Sequence, residues 1–151
     1  MAVYKIVVVD EADVLRKRAK EILKVNDSTK RLLQNMADTM EEFKGVGLAA
    51  PQIGISKRAI VVDFGEGIIE LVNPVITGAE GEQTGVEGCL SVPGLSGEVT
   101  RAQKIVVEGL NGEGKEVKYE VTDFPAVIFQ HEIDHLDGTL FIDKAVNIKK
   151  V

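Results

Sequence analysis

The chain reads as an α+β protein: mostly antiparallel β-sheets packed around a C-terminal metal-binding helix, with an N-terminal helix on the outside. Three observations carry this expectation. Apolar, β-branched runs joined by short glycine loops fill the middle of the sequence. An amphipathic helical stripe precedes them, and a second helical stretch near the end, Gln130-His131-Glu132-Ile133-Asp134-His135-Leu136-Asp137-Gly138, holds both histidines of the chain.

Taken in order, residues 1–10 read as a strand, without the charged lead, long apolar centre and small-residue cleavage site of a secretory signal. Residues 11–25 are charge-rich, with Val14, Leu15, Ile22 and Leu23 as apolar points, and read as partly helical. Asp27 or Ser28 is the expected cap of a clearer helix. Its Leu32, Leu33, Met36, Met40 and Phe43 recur at the spacing of one buried face, and Gly45 supplies the stop. That stripe is core-forming, not a cofactor box.

Gly45-Val46-Gly47-Leu48-Ala49-Ala50-Pro51-Gln52-Ile53-Gly54 has no periodicity and little bulk, so backbone can approach another group closely there. It lacks the Lys-Ser/Thr of a phosphate-binding loop and follows a helix instead of a strand. Taken alone, a purely structural loop is an equal reading. Residues 59–64 and 68–73 form a hairpin across Gly65-Glu66-Gly67, and Pro74 limits how far the second strand can run. Residues 77–85 are glycine-rich and polar. Residues 99–109 and 116–121 read as two further strands joined by Asn111-Gly112-Glu113-Gly114. The last helix starts near Thr122-Asp123, tolerates Pro125 in its first turn and stops at Gly138.

At 151 residues, one domain spanning 1–151 is expected. With 44% hydrophobic and 28% charged residues and no apolar run near the roughly 20 residues of a membrane span, no membrane partner is implied. A net charge of −6 gives no electrostatic footprint for nucleic acid. The single cysteine, Cys89, can form no intrachain disulfide.

On a helix, His131 and His135 lie one turn apart on one face, where two imidazoles can converge on a cation, and the adjacent Glu132 falls where a general base could act on water. A catalytic metal takes three protein ligands. The third here is Cys89 or a carboxylate; Cys89, in Glu87-Gly88-Cys89-Leu90-Ser91, is otherwise a small buried hydrophobe. Phe124, Val127 and Ile128 follow helical steps to the histidines, so an apolar wall should flank the site.

Together, residues 45–52, 87–91 and 130–138 resemble, in order, the three motifs of the peptide deformylase family. The similarity extends to Ser91-Val92-Pro93-Gly94, Arg101 and Leu140-Phe141-Ile142-Asp143. The resemblance implies a cytoplasmic hydrolase that releases formate from N-formylmethionyl peptides. It implies Cys89, His131 and His135 as ligands of one divalent ion, natively Fe²⁺ and replaceable by Zn²⁺, Ni²⁺ or Co²⁺. Glu132 would be the base, and the Gln52 amide and Leu90 backbone N–H would be donors to the formyl oxygen. Val46, Phe124, Val127 and Ile128 would hold the methionine side chain, with Gly47 and Gly88 beside the peptide backbone. Glu87 and Arg101 would pair to hold the Cys89 loop, while Asp134 and Asp137 belong to the helix surface or support the ligands. Two departures stand out: no proline precedes Leu15-Arg16, and the few residues after Asp143 are too short for the C-terminal helix of many members, which puts ribosome docking in doubt. Two rival readings are a metallopeptidase with the same H-E-x-x-H chemistry and a non-catalytic, metal-stabilised module binding peptide N-termini.

Overall fold

The computed structural model describes residues 2–10 and 13–151. Expectations falling on Met1, Glu11 and Ala12 therefore lie outside the described residues. Helix α1 (Asp27–Glu42) is followed by β1 (Gly47–Ala49), β2 (Ala59–Asp63), β3 (Ile68–Glu80), β4 (Gln83–Cys89), β5 (Val92–Arg101), β6 (Lys104–Leu110) and β7 (Glu116–Thr122). Helix α2 (Asp123–Leu136), a single helical turn α3 (Phe141–Lys144) and β8 (Val146–Lys150) complete the chain. The named strands pair antiparallel, in a five-stranded sheet of order β1-β2-β3-β6-β7 and a three-stranded sheet of order β4-β5-β8, and an isolated parallel bridge joins Lys20 and Lys57.

The five-stranded sheet is covered on both faces, which explains why β2 reads as an uninterrupted apolar run instead of alternating. Ala59 and Val61 pack with Leu32, Leu33, Met36 and Met40 of α1. Ile60 and Val62, pointing the other way, pack with Ala126, Phe129, Ile133 and Leu136 of α2. The layers are thus α1, sheet, α2, with α1 on the outside. Phe129 is fully buried and meets the rings of Phe64 and Tyr119 at 5.5 and 6.1 Å. Its truncation to alanine should cost roughly 3–5 kcal/mol. A smaller core of Val92, Val99, Leu140 and Phe141 supports the second sheet.

Helix α2 is fastened at its C-terminal end. Leu136 O accepts from Ala19 N at 2.7 Å and from the buried Arg58 Nη1 at 2.9 Å, while Arg58 Nη2 reaches Asp137 Oδ1 at 3.0 Å. Gly138 follows with φ 78, and a Cβ there would lie 2.6 Å from Arg16 O, so both conformation and space demand glycine.

Several expectations need correction. Residues 2–10, expected as a strand, belong to neither sheet; the segment is tied by Val7 N to Gln52 O and Val9 N to Ser91 O, both 2.8 Å, and so runs against the loops of the site. In residues 13–25 only Asp13–Arg16 is helical, a 3-10 turn whose Leu15 is buried, whereas Leu23 is 98% exposed. Asn26, not Asp27 or Ser28, caps α1, exchanging bonds with Thr29 in a reciprocal capping box. The left-handed position after α1 is taken by Lys44 (φ 55), one residue before Gly45. The stretch 45–54 contains β1 and a 3-10 turn, Ala50–Ile53.

Pro74 does not end β3. The ladder slips between Val72 and Val75, where Asn73 turns to φ 51 and its side chain bonds Ile22 N and O at 2.9 and 2.8 Å, so the missing proline N–H costs no regular pairing. The polar residues 77–85 are mostly strand, in β3 and β4. Residues 99–109 are two strands, β5 and β6, in different sheets, parted at Ala102-Gln103. Thr122 precedes α2 but makes no side-chain cap bond. No described helix is long and apolar enough to cross a membrane.

Candidate metal centre

The site lies where the end of β4 meets the middle of α2. Strand β4 loses register with β5 between Glu87 and Cys89, and such an irregularity re-aims side chains at a sheet edge. One turn of α2 separates His131 and His135, whose ring centroids are 5.1 Å apart. Cys89 Sγ lies 3.3 Å from His135 Nε2, and the ligand atoms of Cys89, His131 and His135 all fall within 4.8 Å of one another. With metal–sulfur and metal–nitrogen bonds of about 2.3 and 2.1 Å, a four-coordinate ion asks for edges of this order. The Cys-His-His cluster can therefore hold a metal.

Glu87 and Arg101 set the first imidazole. Glu87 Oε1 accepts from His131 Nδ1 at 2.8 Å, which leaves Nε2 of His131 as the ligating atom. Arg101 grips the same carboxylate with two bonds, Nε to Oε2 at 2.6 Å and Nη2 to Oε1 at 2.9 Å, and gives Nη1 to Asp134 Oδ2 at 2.9 Å. Lys144 Nζ also reaches Asp134 Oδ2, at 3.0 Å. The Glu87–Arg101 pair is buried, and its carboxylate grips a ligand as well as the loop. Asp137 instead faces Arg18 and Arg58 at the helix end. His135 Nδ1 is buried without a hydrogen-bond partner among the described residues, so packing and helix position hold that ring.

The titration pattern reflects a surplus of negative groups. Burial alone would lower the His131 pKa, but hydrogen bonds with Cys89 and Glu87 and the charge of Glu132 outweigh it and raise the group to about 10. Burial holds His135 well below its ordinary value, helped by the charges of His131 and Arg101. Glu87 would be raised by burial, yet its bonds with His131 and Arg101 and their charges bring it down to about 2. Glu132 is raised by burial to about 7, against the opposing charges of His131 and Arg101. Cys89, Glu87 and Glu132 thus surround His131 with potential anions, and a divalent cation suits that donor set better than a proton.

Gln52 and Glu132 complete the floor. Gln52 is 2% exposed; its Oε1 accepts from Ala49 N at 3.0 Å, and its Nε2 donates to Ser91 Oγ at 3.2 Å and, at a longer 3.5 Å, to Cys89 Sγ. Glu132 is 5% exposed, and its Oε1 has no partner among the described residues, an orphan that fits a water or ligand brought to the cluster. A Cβ on Gly47 would sit 2.7 Å from Glu132 Oε2, so the carboxylate occupies space that only glycine leaves. Gly88 is less constrained, with 3.7 Å to the nearest atom.

Above this floor opens a cleft of about 710 Å³ lined by Val46, Gly47, Gly88, Leu90, Phe124, Val127 and Ile128 together with Gln52, Cys89, His131 and Glu132. Every site residue expected from the sequence lines it except His135, which lies deeper, beneath the cysteine. Phe124 is 57% and Leu90 37% exposed at the mouth, whereas Ile128 is buried. Sequence reasoning missed the Glu87–His131 bond, the Gln52–Ser91 bond and several wall residues, among them Lys44, Gln83, Val86 and Leu95. The first joins residues 44 apart in the chain, and the irregularity between Glu87 and Cys89 removes the alternation that would have announced it.

The chain matches the family model described as polypeptide deformylase over residues 3–151. It is 56% identical over 151 residues to the peptide deformylase of Pelotomaculum thermopropionicum, spanning 100% of this chain and 97% of that relative. Its fold matches the crystal structure of peptide deformylase from Thermotoga maritima with a TM-score of 0.93 at 41% identity, covering 97% of this chain and 99% of that one. A peptide deformylase from Synechococcus elongatus, solved in complex with actinonin, matches with a TM-score of 0.91 at 34% identity over 95% of this chain and 79% of that one. A motif set read in order along the sequence, a cluster of three ligand atoms in space and a match across nearly the whole chain agree: the chain belongs to the polypeptide deformylase family.

Proposed function

We propose that this chain, acting as a single catalytic domain over residues 1–151, hydrolyses the formamide of N-formylmethionyl nascent polypeptides and releases formate and a free N-terminus. The observation that carries the mechanism is the buried, unpartnered Oε1 of Glu132 beside the converging atoms of Cys89, His131 and His135. Cys89, His131 and His135 would hold the ion, Fe²⁺ by family resemblance with Zn²⁺, Ni²⁺ or Co²⁺ as substitutes, and when bound it would supply Lewis acidity toward water and the formyl carbonyl.

The remaining steps fall to the chain's own groups. Glu132, held near neutrality at about 7 by burial, takes a proton from water as the water oxygen bonds to the formyl carbon. Negative charge grows on the formyl oxygen, where the Gln52 amide donates; beyond its Ser91 bond, that amide nitrogen has among the described residues only the long contact with Cys89 Sγ. The Leu90 backbone N–H is the second proposed donor, and each such donor is worth roughly 2.7–4 kcal/mol in comparable sites. As the carbon–nitrogen bond breaks, Glu132 passes its proton to the departing amine. Val46, Phe124, Val127 and Ile128 accept the unbranched methionine side chain, and Gly47 and Gly88 let the peptide backbone lie close.

A reducing cytosol suits a thiolate ligand on a ferrous ion, since both oxidise readily. We assign no ribosome contact to the C-terminal residues, which form a strand paired with β5. The test is formate release from a formyl-Met peptide by protein purified anaerobically with iron. Glu132→Ala should lower it by at least about 100-fold while metal content stays intact. No formate from metal-loaded protein, equal turnover in the variant, or cleavage of an internal bond in an unformylated peptide would refute the reading.

A further inference from the structure

The cleft has one cation at its mouth that the described residues leave uncommitted. Lys44 lines the cleft and is exposed; its backbone N donates to Glu41 O at 3.1 Å, and no ion pair or side-chain hydrogen bond holds its ammonium among the described residues. The acidic groups of the cleft cannot neutralise it. Glu87 is engaged by Arg101 and His131, and Glu132 is buried against Gly47. Glu41 and Glu42, close in sequence, are not part of the cleft wall and make no ion pair with Lys44.

Its distance along the wall is informative. Gly47 abuts Glu132, where the scissile bond must lie, and Lys44 is three residues upstream, so at most about 10 Å separates their Cα atoms. Gly45 between them lies near Leu90, whose Cδ1 is 3.7 Å from the ideal Cβ position, so this segment and Leu90 border the same part of the cleft. A peptide with its formyl group at Glu132 that runs beside this wall brings its second to fourth residues within reach of the lysine side chain. Apart from the metal-site residues and the chain-end Val151, which makes no ion pair with Lys44 among the described residues, the cleft is lined by apolar or neutral residues, among them Val46, Val86, Leu90 and Gln83. One free charge on a neutral wall selects among substrates by charge.

Resting on the deformylation reading, we infer that Lys44 is a specificity-determining residue that favours nascent chains carrying Asp or Glu within the second to fourth positions and disfavours those with Lys or Arg there. Two unit charges about 6 Å apart in water-like surroundings bias binding by roughly threefold each way. The bias fades as salt rises, because exposed charges are screened.

The experiment compares kcat/KM for formyl-Met-Ala-Asp-Ala, formyl-Met-Ala-Asn-Ala and formyl-Met-Ala-Lys-Ala, all as C-terminal amides so that no free carboxylate competes. The iron-loaded full-length protein is used at about 20 and 300 mM salt, conditions under which the Debye length shortens severalfold. The acidic peptide should exceed the basic one by threefold or more at low salt in the wild type. The ratio should fall towards one in Lys44→Gln, invert in Lys44→Glu and shrink at high salt. An acidic-to-basic ratio that is the same in all three proteins overturns the inference while formate release from the neutral peptide upholds the deformylation reading. Absence of formate from every peptide overturns both. Because Lys44 is exposed and all three side chains share the same left-handed backbone cost, melting temperatures should agree within a degree or two, about the resolution of a surface change.

Discussion

Gly47→Ala is a severe test of the site, because it adds one methyl group and nothing else. Gly47 does not have a positive φ, so alanine can adopt its backbone conformation, and the effect must be steric. The new Cβ would lie 2.7 Å from Glu132 Oε2, 3.0 Å from Glu132 Cγ and 3.0 Å from Ile128 Cγ2. Ordinary contact begins at 3.4 Å, so the carboxylate must retreat by about 0.7 Å, yet both neighbours are buried. Misplacement of this size costs on the order of 30- to 100-fold in kcat. Overpacking adds about 1–3 kcal/mol of destabilisation, or roughly 2–4 °C in Tm per kcal/mol for a chain of this size. The assay is steady-state formate release from a neutral formyl-Met peptide, with metal content and Tm measured on the same preparation. A kcat within threefold of wild type at full metal occupancy would refute the claim that Glu132 is positioned against that glycine. A loss of activity wholly accounted for by lost metal would refute it equally.

Three other outcomes follow from the same geometry. Arg101→Met leaves the buried Glu87 carboxylate with only His131, while Asp134 keeps Lys144, so chemical denaturation should show a loss of about 3–5 kcal/mol. Competition with a chelator should show metal affinity reduced by about 10- to 100-fold, as for other outer groups that orient a ligating histidine. Because the Glu87 carboxyl is lowered from 4.5 to about 2 in the fold, its stabilisation is present above the unfolded value and is lost as pH falls through this window. Glu87→Gln should flatten the stability–pH profile of the metal-free protein between those pH values, and an unchanged slope would show that another group titrates there. Stripping the metal should lower Tm by several degrees, since an ion at about 100 times its dissociation constant adds roughly 2.7 kcal/mol to the folded state. Calorimetry with and without chelator measures this, and a coincident pair of transitions would argue against a cation at Cys89, His131 and His135.

The parts of the molecule legible in sequence are those whose signal is local. The spacing of His131 and His135 survives as geometry because a helix fixes it, and the hairpin across Gly65-Glu66-Gly67 survives because the turn fixes it. Where the decisive partner is distant in sequence, the reading failed. Pro74 argued for a strand end, but the bonds Asn73 makes with Ile22, 51 residues earlier, absorb the irregularity. Residues 99–109 have one uninterrupted β-like pattern, and only the pairing of Ala102 with Gln130 shows that the chain passes there from one sheet to the other. Asn26 outdid Asp27 as a cap because the deciding bond is the return bond from Thr29, a detail of side-chain geometry. At the site, Glu87 was recognised as the partner of Arg101 but not of His131, since a carboxylate that accepts from two elements at once leaves no spacing pattern in either.

Helix α2 divides along its length into two regimes. Its C-terminal end is pinned by Ala19 and Arg58 to segments far away in the chain, and His135 lies one residue from that clamp. Its N-terminal end has no side-chain cap but is tied at Asp123, whose N donates to Gln103 O at 2.9 Å and whose O accepts from Gln83 Nε2 at 3.0 Å, and it carries the half-exposed Phe124. What differs along the rod is side-chain cover: the ligand end is buried, and the entrance end exposes Phe124. A bulky or unusual first residue would meet the exposed Phe124 side chain, which has room to change rotamer, before it meets the buried His131 and His135. Substitutions near the entrance should accordingly change which peptides are processed, and those near the clamp should change whether any are.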